Sequence, residues 1–216
     1  MKKLFTVALL LFIFAAWGFY KSVRLPVTFY FNKECPPEGS ATTQALIELN
    51  KLKNRAHLPS HNDFDHSVTL KKILEKGDDT KRWNTHKAAK ITGYVYDVKP
   101  GGVETCNCKT KDLTKRDTHI EILVSPMHNK KMLRMIVEIT PRLREQMKKS
   151  GEDWSTKTLR DKLLGRWVTF SGWLFFDEEH TNMSENTSPG RERNWRATAW
   201  EIHPVTKIEV TTKPNG

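Results

Sequence analysis

From Ala89 onward the hydrophobic pattern has a period of two, interrupted once by a helical stretch, and this constrains the fold more than any other feature. "KITGYVYDV" sets Ile91, Gly93 and Val95 against Thr92, Tyr94 and Tyr96. "THIEILV" places Ile120 and Ile122 on one face and Asp117, His119 and Glu121 on the other. "KMLRMIVEI" offers Leu133, Met135, Val137 and Ile139 to a core, with Arg134 and Glu138 across the sheet. "PRLREQMKKSGEDWSTKTLRDKLLG" reads as helical, with Pro141 suited to a first turn. Two further strands follow, "RWVTFSGWLFF" and "WRATAWEIHPVTKIEV". Three strands, a helix and two strands is the order of an OB-fold, a small five-stranded barrel. The expectation is therefore a mainly β chain: a five-stranded OB-like barrel over residues 89–212, a helix between strands 3 and 4, and a tail at 213–216. Gly93 and Gly172 suit the sharp coiling of such a barrel.

A helical arm is expected before the barrel: residues 21–88 read as an extended linker, proline-punctuated over 21–40, followed by two short helices. "TTQALIELNKLKNR" spaces Ala45, Leu46, Leu49 and Leu52 helically, with Ser40 or Thr42 as N-cap. "SVTLKKILEKGDD" predicts a second short helix, capped by Ser67 and ended by Gly77. Lys2 and Lys3 precede an apolar run from Leu4 to Tyr20, the composition of a signal peptide or an N-terminal membrane anchor over residues 1–20. Either reading places the rest outside the cytoplasm, in a bacterial periplasm or secreted, with membrane contact only through that segment. The net charge of +11 invites a nucleic-acid partner, but the basic residues are spread along the chain rather than gathered in a stripe. Nucleic acid is weakly supported on that count.

The strand order leaves two long connections, 99–116 and 177–194, and loops of that length tend to carry function. OB-folds bind on the face of strands 2 and 3, between these two loops. Residues expected to meet a polar ligand there are Glu104, Arg116, Asp117, His119, Glu121, Arg134, Glu138, His180, Trp195 and Arg196. Binding of an oligonucleotide, a glycan or a protein is the expected role, ahead of catalysis. Cys35, Cys106 and Cys108 cannot all pair within one chain. Cys35 bridging either of the others, Cys106 pairing with Cys108, and a zinc ion all remain open. Zinc would take Cys106, Cys108 and His119, with His180 or His203 as fourth ligand. An oxidising compartment weighs toward the disulfide. "HNDFDH", His61 to His66, is a second metal-type cluster and reads more simply as a solvated loop.

Two resemblances bear on these residues. The stretch from Trp83 to Val210 resembles small exported bacterial proteins of unknown function that share an OB-like barrel. The shared features are Glu104-x-Cys106-Asn107-Cys108, Asp117-x-His119, and Trp200-Glu201-Ile202-His203-Pro204. That likeness implies fold and compartment. "RMIVEITPR" also resembles the Arg-rich, acidic strand ending in Thr-Pro of thermonuclease-like barrels, through Arg134, Glu138, Thr140 and Pro141. It implies a metal-dependent hydrolase with calcium held by carboxylates such as Asp97 and Asp117. Arg142 stands where that family has its general base, and the spacing is one residue off.

Overall fold

The computed structural model describes residues 35–127, 130 and 133–213. The segment expected to be a signal or anchor, the linker up to residue 34 and residues 214–216 lie outside the described residues. Among the described residues no helix is long and apolar enough to cross a membrane.

Five strands close into a barrel in the order β1-β2-β3-β5-β4, with β4 returning to β1. They are β1 (Ala88–Pro100), β2 (Thr118–Leu123), β3 (Met135–Ile139), β4 (Trp167–Phe176) and β5 (Trp200–Thr211). Closure depends on the length of β1, whose first half pairs with β4 and whose second half pairs with β2. A register shift between Val95 and Asp97 bends the strand where it leaves one partner for the other. Among the five described strands, only β3 and β5 pair in parallel, through Ile136 opposite Glu201 and Val137 opposite Ile202. A parallel pair needs a crossover, and this one carries α3 (Pro141–Lys149), α4 (Thr156–Leu163) and β4.

The alternation predicted for the strands fills the barrel with Ile91, Val95, Ile120, Ile122, Met135, Val137, Ile139, Phe170 and Ile202. Leu133 is only half-buried and precedes β3. The single helical stretch expected after β3 is two helices. Thr140 caps α3, accepting from Leu143 N, and Pro141 occupies its first turn. Gly151, at a φ of +88°, follows the end of α3, and Ser155 caps α4. Both helices send leucines (Leu143, Leu159, Leu163) into the core.

Gly172 sits at the register shift between β4 and β5. A Cβ there would lie 2.3 Å from the Pro204 carbonyl oxygen and 2.7 Å from Ile202 Cγ2. Backbone cannot yield cheaply, so Gly172→Ala is expected to cost about 1–3 kcal/mol or more by overpacking. Thermal unfolding of the variant checks this; an unchanged midpoint would show that β5 yields at Pro204 without cost.

The N-terminal arm departs from its apolar reading. α1 (Gln44–Lys53) is capped by Thr43 and turns Asn50 and Lys53 inward, with Asn54 just beyond, while Leu46, Leu49 and Leu52 are half-buried and Ala45 is exposed. Asn50 donates to the Glu38 carbonyl and Thr105 Oγ1, and Asn54 donates to the Pro37 and Cys106 carbonyls. The helix docks through hydrogen bonds to a loop whose backbone would otherwise lack partners. The second helix shrinks to one turn, α2 (Leu70–Ile73), capped by Thr69; Ser67 instead donates to Asp65.

Candidate functional site

Alternation along the strands turns His119, Glu121, Glu138, Glu201 and His203 away from the apolar interior, yet these residues are largely shielded from solvent. Both faces of β2 and β3 are buried because α1 and the two long loops fold over the outer one. The first loop is fastened by a disulfide between Cys35 and Cys108, Sγ–Sγ 2.12 Å. Gly39, at a φ of +62°, lets the same segment approach so closely that a Cβ would meet the Thr105 oxygen at 2.0 Å. The second loop is held by Asp79, which is fully buried. Its carboxylate accepts from Asn186 Nδ2, Thr198 Oγ1 and the Ala199 amide, and its carbonyl accepts from Trp200 Nε1.

Between these covers lies a cleft of about 310 Å³. Its floor is His119, Glu121, Glu138 and Glu201. One wall is Lys99 to Gly102 with Glu104; the other is Asp177, His180, Trp195 and Arg196, with Lys53 reaching in from α1. The charges are matched within the cleft. Lys53 Nζ sits 2.6 Å from Glu104 and 3.6 Å from Glu179. Arg196, 1% exposed, bridges Asp177 at 2.9 Å and Glu201 at 2.5 Å. Lys99 and Arg134 both donate to Glu121, and Arg134 also lies over the Tyr96 ring.

Burial pushes the Glu138 carboxyl well above the usual carboxylate range, and the charges of Glu201, Glu104 and Asp117 push it further. Burial likewise lowers His119 to about 4. His119 Nδ1 is 2.6 Å from Glu138 Oε1. With Glu138 keeping its proton and donating it to Nδ1, His119 carries its own proton on Nε2. That atom has no hydrogen-bond partner among the described residues, and neither has Asp177 Oδ1.

Burial would raise Asp177, but the His180 hydrogen bond and the Arg196 and Lys53 charges outweigh it and hold the carboxyl well below its ordinary value. The same 2.6 Å bond raises His180 above the usual histidine value despite partial burial. A histidine raised in this way stabilises the fold fully below its unfolded pKa, near 6.5, and the stabilisation is lost as pH rises through the folded value. An NMR titration is expected to place His180 above 6.5 in the native protein and to bring it down in Asp177→Asn. Equal values in the two proteins would remove Asp177 as the cause.

Seven residues named from the sequence line the cleft: Glu104, His119, Glu121, Glu138, His180, Trp195 and Arg196. Asp117 lies beneath it, Arg134 braces Glu121, and Arg116 turns away to the Thr110 and Lys111 carbonyls. Lys53, Lys99, Asp177 and Glu201 also line the cleft and are not among the residues expected to meet a ligand; an apolar helical period carries no signal for an inward lysine such as Lys53.

The zinc set of Cys106, Cys108 and His119 is overturned, because Cys108 is spent in the disulfide with Cys35. The Cys106–Cys108 pairing falls with it, and Cys106 is a free, buried thiol. Burial and the neighbouring Asp117 charge push that thiol well above its ordinary pKa. Glu138 pairs with His119 and His203, while Arg134 reaches Glu121 and Arg142 reaches the Cys35 carbonyl. Asp97 stands opposite Glu121, four positions along the sheet from Asp117 and so about 13 Å away at strand spacing. It pairs with Lys99 and Arg160, so the two carboxylates do not form a calcium pair. Two groupings of metal-ligand type occur among the described residues, Glu104–Cys106–Asp117 and Asp117–Glu138–His203; the His61–His66 loop is not one. No protein-family model and no curated protein matches the chain.

Proposed function

We propose that this protein is an extracytoplasmic binding module with an OB-type barrel, and that it holds a small, near-neutral polar ligand, such as one saccharide unit, on the outer face of β2 and β3. The strand order and the helices between β3 and β4 support the OB assignment. The disulfide supports an oxidising compartment. The observation that carries the reading is the cleft itself: charge-matched, walled by Trp195, and lined by His119 and Asp177, whose Nε2 and Oδ1 are shielded from solvent and have no hydrogen-bond partner among the described residues. Buried polar atoms ordinarily have a hydrogen-bond partner, in protein, ordered water or ligand.

Size and charge narrow the ligand. A volume near 310 Å³ is at the lower end for small-molecule sites, about 300–1,000 Å³. Lys53, Lys99 and Arg196 are each engaged by carboxylates, so they do not form the open basic track that a nucleic-acid backbone needs. Trp195 packs near His119 and His180, with centroids at 5.6 and 6.3 Å, and offers an aromatic wall to the apolar face of a sugar ring.

Tryptophan fluorescence and saturation-transfer NMR against a panel of monosaccharides test the proposal, with a single-stranded oligonucleotide as the contrasting probe. Saccharide binding that is lost in Trp195→Ala and His119→Phe is expected. Oligonucleotide binding with a steep salt dependence, and none to saccharides, would overturn it.

A further inference from the structure

Below the cleft floor, ligand atoms of Asp117, Glu138 and His203 lie within 4.8 Å of one another. Asp117 immediately precedes β2, Glu138 is in β3 and His203 is in β5, so three neighbouring strands supply them. Asp117 is 2% exposed and His203 is wholly buried. Asp117 Oδ1 and His203 Nε2 have no hydrogen-bond partner among the described residues.

The two edges of the His203 ring are unlike. Nδ1 lies 3.2 Å from Glu201 Oε2 and 3.5 Å from Glu138 Oε2. Nε2 lies 3.7 Å from Asp117 Oδ2, beyond hydrogen-bond range. With its Nδ1 proton given to Glu201, the imidazole aims the Nε2 lone pair at a carboxylate. The Nε2 lone pair then faces Asp117 Oδ2, which also accepts from Asn107 Nδ2 at 2.9 Å, while Oδ1 of the same carboxylate has no partner among the described residues; a cation shared by ring and carboxylate relieves the repulsion between them. Glu201 on Nδ1 is also the partner that fixes tautomer and ring orientation in metal-ligating histidines, and Glu201 is in turn held by Arg196.

We propose that Asp117, Glu138 and His203 bind a single divalent transition-metal ion, reached from the cleft past Glu138. Bonds of about 2.1 Å around such an ion place neighbouring ligand atoms roughly 3.4 Å apart. The observed 3.7 Å between Nε2 and Oδ2 therefore needs only a slight contraction. One imidazole with two carboxylates suits zinc, manganese or ferrous iron; calcium prefers an all-oxygen shell of six to eight ligands. The site shares only His203, a possible fourth ligand, with the cysteine set rejected above. A bound ion takes the place of the Glu138 proton, so His119 then donates Nδ1–H to that carboxylate and keeps Nε2 as an acceptor.

The test uses the full chain, freed of metal by chelation and dialysis, in equilibrium dialysis against Zn²⁺ and Mn²⁺ with elemental analysis. One ion per chain is expected, with affinity at least tenfold weaker in Glu138→Gln and Asp117→Asn, and about 10–100-fold weaker in Glu201→Gln, which removes only the partner on Nδ1. No bound ion, or one whose affinity is unchanged by Asp117→Asn and Glu138→Gln, overturns the proposal. Should the variants fail to fold, Mn²⁺ added to the native protein is expected to broaden the His203 ring signals before those of His61 and His66; the reverse order overturns it. Metal binding without saccharide binding would remove the ligand reading and leave this site intact.

Discussion

Removing the Cys35–Cys108 bridge is expected to lower the unfolding free energy by about 4 kcal/mol. The bridge spans 73 positions, and in the chain-entropy account a closed loop of that length restricts the unfolded chain by about that amount. Domains are commonly stable by about 5–15 kcal/mol, so the loss is a large fraction of the total. It also loosens the site, because the bridged loop carries Glu104 to Lys53 and Cys106 to Asn54. Urea unfolding of the native protein with and without a reductant, and of the paired Cys35→Ala and Cys108→Ala variant, measures the effect. A coincident midpoint in all three would show that docking of α1, rather than the covalent link, holds the loop.

Arg196→Met is expected to destabilise the protein by about 3–5 kcal/mol at neutral pH, because it leaves Asp177 and Glu201 as buried carboxylates without their shared cation. The pH dependence separates this cause from lost packing. In the native protein Asp177 is held below its unfolded pKa, so its contribution is present above about 3.9 and is lost as pH falls through the folded value. Without the arginine that contribution is smaller, because only His180 and Lys53 are left to hold the Asp177 carboxyl below its ordinary value. The difference between variant and native stability should therefore shrink below about pH 4. A difference that stays constant from pH 7 to pH 4 would assign the cost to packing. Arg196→Lys should recover only part, since one ammonium lacks the planar fork that meets two carboxylates at once.

These two interactions differ in how far they could be read in advance. Arg196 and Glu138 stand out as charged residues in strands or strand ends, and topology brings the strand 2–3 face under the two long loops. Their partners are another matter. Asp177 and Glu201 meet Arg196 only because the second loop turns back on Asp79, a residue more than a hundred positions away from Thr198 and Ala199. Lys53 reaches Glu104 from a helix whose buried face is polar. An apolar period finds the side of a helix that leaves water for a hydrophobic core. It is blind to one that docks by hydrogen bonds on a loop.

By itself, the sequence determined what is local: five strands of period two, one helical insertion after the third, and two loops too long to be simple connections. Side-chain alternation acts over a few residues, so it can be read without knowing what packs on the strand. Tertiary structure alone decided what is non-local. Cys35 took Cys108 because Gly39 and α1 bring that segment against the first loop, leaving Cys106 as a buried thiol. Burial, which depends on what folds over the outer face of the sheet, set the charge states of His119 and Glu138 and left His203 Nε2 facing Asp117. Alternation could place those side chains on the outer face of the sheet; only the covering loops and α1 could remove that face from water.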